Sequence, residues 1–126
     1  MPQTAKLLLL LGGVNAMLVV MLGAFGAHAL KARLSVDMMA VYQTGIHYHL
    51  FHALGLLAVG LVAMQISDSA YLRWSGWLML AGIVLFSGSL YLLSISGLRW
   101  LGAVTPFGGM TFIVAWILFV VAVARA

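Results

Sequence analysis

Cysteine and glutamate are absent from this 126-residue chain, and aspartate and proline occur twice each. Without cysteine there is no disulfide and no thiolate metal site. Asp37 and Asp68 are the only acidic side chains, and both lie at the ends of apolar runs. No carboxylate pair for general acid–base work is therefore present, and acid–base chemistry would rest on histidine alone. No Walker loop, nucleophile elbow or His-Glu-x-x-His motif occurs. Charge of either sign is scarce: charged residues make up 6% of the chain and apolar ones 65%, against about 25% and 45–50% in soluble domains.

What is present is length without charge. Four uncharged runs follow Lys6, Asp37, Arg73 and Arg99, and each exceeds the roughly 20 residues that a helix needs to cross the hydrocarbon of a bilayer. The fold class this implies is all-α, an integral membrane four-helix bundle with both termini on the same side. One transmembrane domain over residues 1–126 is expected, with helices near 5–29, 39–66, 72–95 and 100–124. Thr105-Pro106 suggests a break or kink in the last of these, with Thr105 as N-cap and Pro106 at the first helical position. Lys6, the first run and Ala27-His28-Ala29 imitate a cleaved signal peptide. The run is longer than the roughly 7–15 apolar residues of such a segment, so a retained span is expected. The basic residues are scattered singly at run ends, as lipid-headgroup anchors are. Nucleic acid is not an expected partner; the lipid bilayer is. Lys6, Arg73 and Arg125 fall on the terminal side and Lys31, Arg33 and Arg99 on the other, so the positive-inside rule chooses no orientation.

Small and polar residues recur on one face of every run, where close helix packing in lipid requires them. At 100° per residue the first helix gathers Gly12, Asn15, Ala16, Val19, Gly23 and Gly26. The second aligns Tyr42, Gly45, His49, His52, Leu56, Gly60 and Ala63. Ser75, Gly82, Ser89 and Ser96 recur at a seven-residue interval in the third, as do Gly108, Ala115 and Ala122 in the fourth. This is the pattern of a compact bundle, or of one that also packs against copies of itself or another membrane protein.

Asn15, His49 and His52 lie near mid-membrane depth, where polar side chains are costly and face a bundle interior or a wet cavity. His52 falls nearest the centre of the expected second helix, and His47 points away from the other two. The bland reading of His49 and His52 is hydrogen bonding across helices, with Asn15, Ser87, Ser89 or backbone as partners. The alternatives are a proton or small-solute pathway through Asn15, His49 and His52, and haem or metal binding. The i, i+3 spacing allows two ligands on one metal, but no third ligand is evident. His28 reads as an interfacial histidine that caps terminal carbonyls. Thr105-Pro106-Phe107-Gly108-Gly109 reads as a helix start with glycines for close packing, or as a broken helix whose N–H groups face an anion.

Four segments of the chain form a recognisable set: Leu22-Gly23-Ala24-Phe25-Gly26-Ala27-His28-Ala29-Leu30, Tyr48-His49-Leu50-Phe51-His52-Ala53-Leu54, Phe86-Ser87-Gly88-Ser89-Leu90-Tyr91, and Leu101 to Gly109. In combination they resemble domain-of-unknown-function family four hundred twenty-three, small bacterial inner-membrane proteins with eukaryotic small transmembrane relatives. The resemblance implies a four-helix, multi-pass protein of the bacterial plasma membrane. It implies no activity, catalytic residue, metal or cofactor. It marks His28, His52, Ser87, Ser89, Thr105, Pro106, Gly108 and Gly109 as positions to test. The expectation is a non-enzymatic accessory or membrane-organising bundle.

Overall fold

The computed structural model describes residues 1–126 as helices joined by short turns. Four are long and apolar enough to cross a membrane: α1 (Gln3–Leu30), α2 (Val36–Ala63), α3 (Ala70–Ser96) and α4 (Arg99–Ala124). Three of the ends have a local cause in the sequence. Ser35 accepts a hydrogen bond from the Met38 N–H at 3.1 Å, and Asp37 sits in the first turn. A side-chain acceptor and a negative charge both favour that helix start. Ser69 does the same for α3, accepting from the Leu72 N–H at 3.4 Å. Gly97 closes α3 in the left-handed conformation, φ +74°, which a residue without Cβ adopts at little cost.

Two expectations about ends change. The cap at Ser35 starts α2 three residues before the expected 39–66 span, and α2 stops correspondingly sooner, at Ala63. Its midpoint therefore lies beside His49 rather than His52. In α4 a 3₁₀ segment, Arg99–Ala103, leads into the α-helical part from Thr105. Thr105 is not the N-cap. Val104 precedes it in helical conformation, with no side-chain cap, because the Thr105 hydroxyl is drawn to Ser89 on α3, 2.7 Å away.

Two π-helical turns interrupt the α-helices, Gly26–Leu30 in α1 and Ile83–Gly88 in α3. Such a turn takes one more residue than an α-helical turn and shifts the register of the residues beyond it.

The central pair is α2 and α3, of which 44% of the apolar window is buried, against 22% for α1 and α4. The outer helices dock separately, α1 mainly on α2 and α4 mainly on α3. Small residues make both contacts close. Gly12 lies against Leu57 and Gly60 against Leu9. A Cβ at Gly108 would fall 2.4 Å from the Phe86 backbone N, so only glycine fits where α4 crosses α3. Of the seven-residue series on α3, Ser75, Gly82 and Ser89 are buried and Ser96 is exposed. Leu8, Leu56, Met79 and Phe112 belong to the main core, and Val19, Leu30, Tyr42 and Ile46 form a second cluster toward the α1–α2 turn.

Candidate functional site

Both buried histidines come from α2, one turn apart, yet they serve opposite sides of the central pair. His49 Nε2 lies 2.9 Å from Asn15 Oδ1 on α1, and its Nδ1 lies 2.8 Å from the Tyr91 hydroxyl on α3. The Asn15 amide nitrogen donates to the Leu11 carbonyl at 2.9 Å. A carbonyl only accepts, so the amide oxygen must be the atom that faces His49. The proton of His49 is then on Nε2, and the Tyr91 hydroxyl donates to the bare Nδ1. One imidazole thus joins three helices, and each of its nitrogens has a single role.

His52 is fixed as firmly and in the other tautomer. Its Nδ1 lies 2.8 Å from the Tyr48 carbonyl, one turn back on α2, and the Trp116 indole N–H of α4 donates to its Nε2 at 3.0 Å. The carbonyl takes a proton and the indole N–H gives one, so Nδ1 is protonated and Nε2 is not. The ring also stacks on Phe112, centroids 3.5 Å apart. Tyr48 and Phe51 complete the aromatic surround.

Serines supply the remaining cross-links. Ser87 donates to the Gly45 carbonyl of α2 and Ser75 to the Ala115 carbonyl of α4, both at 2.7 Å. Ser89 Oγ lies 2.8 Å from the Phe86 carbonyl within the π turn and 2.7 Å from the Thr105 hydroxyl across the α3–α4 contact, and Thr105 Oγ1 also lies 3.4 Å from the Leu101 carbonyl. The Tyr42 hydroxyl donates to the Leu22 carbonyl, and its ring covers Gly26 at the start of the π turn of α1. No buried side-chain nitrogen or oxygen lacks a partner.

Of the partners the sequence offers, the structure joins Asn15 to His49. It does not bring Ser87 or Ser89 to either histidine; both serines are used elsewhere. His28 is exposed on the π turn of α1 and caps no carbonyl. Pro106 is exposed, and Gly109 is half-buried with Phe86 no closer than 3.8 Å to a Cβ placed there. Tyr91 and Trp116 are the residues that sequence reasoning missed. Tyr91 lies near the end of α3, where aromatic residues ordinarily serve as headgroup anchors. Trp116 carried a usable signal, since it sits mid-helix, away from the interface where such rings collect.

A groove of about 400 Å³ opens between α1 and α3, bordered by Asn15, Leu18, His49, Tyr91, Leu101 and Val104. Its lining is mostly apolar, because the polar atoms of Asn15, His49 and Tyr91 are turned toward one another. No three His, Cys, Asp or Glu side chains converge on one point.

The model of a family described as "Protein of unknown function (DUF423)" matches residues 22–109. The UPF0382 membrane protein YwdK of Bacillus subtilis is 49% identical over 120 residues, 95% of this chain and 98% of that relative. The UPF0382 membrane protein SERP0230 of Staphylococcus epidermidis is 44% identical over 120 residues, covering 95% and 97% of the two chains. A UPF0382 membrane protein of Staphylococcus aureus strain USA300 is 43% identical over 117 residues, 93% and 94% of the two. No solved structure matches.

Proposed function

This chain belongs to the DUF423 family, and we propose that it is a non-enzymatic accessory or organising bundle of the bacterial plasma membrane, held in one shape by dry histidine contacts. The observation that carries this reading is the saturation of both imidazoles. Each nitrogen of His49 and His52 already has a partner of matching polarity within the chain. A ligand role in haem or metal binding would require one of those bonds to break, leaving Asn15, Tyr91 or Trp116 unpaired in the bundle. A proton pathway would need a wet line through the membrane, whereas the groove beside His49 is walled by apolar side chains. The plasma membrane is supported by the all-helical spans, since outer membranes take closed β-barrels, and by the bacterial relatives named as membrane proteins.

The test compares wild type with His49→Leu plus His52→Leu. In proteoliposomes with an internal pH dye, proton flux should be identical for the two. In detergent, the same protein should unfold at lower SDS fraction than wild type. Flux that depends on the histidines would overturn the reading.

A further inference from the structure

His47 stands apart from the other histidines of α2. Its ring is exposed and makes no hydrogen bond in the chain, while His49 and His52 are fully engaged. It lies eleven residues into α2, about 16 Å along the axis and near the middle of the span. That is too deep for a short side chain to reach the headgroups. An unpaired imidazole facing hydrocarbon is costly, and polar residues at that depth ordinarily meet a partner.

The surface around His47 is ordered as a helix-packing seam. Ala40, Thr44, His47, Phe51, Leu54 and Leu61 all lie on the outer side of α2, Thr44 and the others open to the surroundings, and with the half-buried Ala58 they occur at alternating steps of four and three. At 100° per residue they occupy one stripe, the geometry of left-handed helix pairs. Trp116 of α4 touches it edge-on at the Phe51 ring, which stays largely exposed.

We propose that this stripe is covered by the same stripe of a second copy, in a parallel dimer about an axis along the membrane normal, with the two His47 rings hydrogen-bonded to each other. Two features favour a second copy as the occupant. Chains inserted the same way are parallel, and in a parallel four–three seam each position meets its own counterpart. A neutral imidazole has one donor and one acceptor nitrogen, so the exposed His47 complements itself. Such a dimer presupposes the accessory-bundle reading above and names its partner.

The chain has no native cysteine, so single substitutions report the contact in intact membranes. Ala40→Cys and Ala58→Cys lie on the stripe. Val20→Cys on α1 and Val120→Cys on α4 replace exposed residues off it. Under copper–phenanthroline oxidation the first two should form a disulfide-linked species of twice the 13.5 kDa chain mass, and the other two should not. Adding His47→Leu should weaken dimerisation about three- to twenty-fold, the span of one intramembrane hydrogen bond. His47→Asn, which keeps a donor and an acceptor, should restore most of it. Equal crosslinking at all four positions, or a stripe dimer indifferent to His47→Leu, would overturn the proposal. So would a stripe adduct of some other mass, which would assign the surface to a different protein. A negative result here, with the stability loss of His49→Leu and His52→Leu intact, would sink the dimer and leave the bundle reading standing.

Discussion

At the scale of single residues, the bundle distinguishes positions that look alike in the sequence. Gly13 and Gly108 both lie within helices, yet a Cβ at Gly13 meets nothing within 4 Å, whereas one at Gly108 strikes the Phe86 backbone. Backbone cannot step aside as a flexible side chain can. Gly108→Ala should therefore lose about 1–3 kcal/mol or fail to fold, as overpacked sites do, while Gly13→Ala should be neutral or gain up to about 1 kcal/mol through helix propensity. SDS titration of the purified proteins in mixed micelles measures both. Trp116→Phe is a finer probe. It keeps an aromatic ring against Phe51, whose centroid lies 5.7 Å from that of Trp116, and removes the N–H that His52 accepts together with the part of the indole beside Gly55. A loss of about 0.6–1.7 kcal/mol is expected from measured intramembrane hydrogen bonds, read in the same titration. No change would mean that the indole bond does not hold α4.

At the scale of elements, the π turn Ile83–Gly88 decides where the end of α3 points. Deleting Leu85 removes the extra residue that the wider turn accommodates, so the turn should close to plain α-helical geometry with Tyr91 still at His49 and Ser89 still at Thr105. Inserting an alanine after Leu85 should instead rotate the segment beyond by about 100° and break both contacts. The insertion variant should unfold at much lower SDS fraction than the deletion variant. Equal stability would show that the register beyond the turn is unimportant. Nothing in Ile83-Val84-Leu85-Phe86-Ser87-Gly88 announces this turn, because a π turn and an α turn of the same apolar residues bury similar surface. The inward face of α2 was legible for the opposite reason. Tyr42, Gly45, His49, His52, Leu56, Gly60 and Ala63 repeat at helical spacing, and every one of them is buried. Periodicity fixes which way a side chain points, but not what it meets. Asn15 could be matched to His49 because both are polar and similarly deep. Tyr91 and Trp116 could not, since helical spacing within one span does not say which side chain of another span it meets. The expected start of α2 lies too late because Asp37 interrupts the apolar stretch, while the Ser35 cap carries the helix out over Val36 to Met38.

At the scale of the whole molecule, four spans of 26–28 residues return the chain to the side where it began. Reporter fusions at Met1 and at Ala126 should therefore give the same compartment; opposite compartments would remove one span from the bundle. The exposed ion pair between Arg73 and Asp68, 2.6 Å apart, contributes little, as surface pairs generally do. Stability resides in close small-residue contacts and in polar bonds that leave no buried atom unpaired. The central claim is that two neutral histidines, locked in opposite tautomers, clamp α1, α3 and α4 to α2. Nitrogen-15 solid-state NMR of histidine-labelled protein in bilayers at neutral pH tests it most directly, with His49→Gln and His52→Gln used to assign the signals. The account predicts a ring protonated at Nε2 alone for His49 and at Nδ1 alone for His52. An imidazolium signal from either ring, or the same tautomer in both, would contradict it.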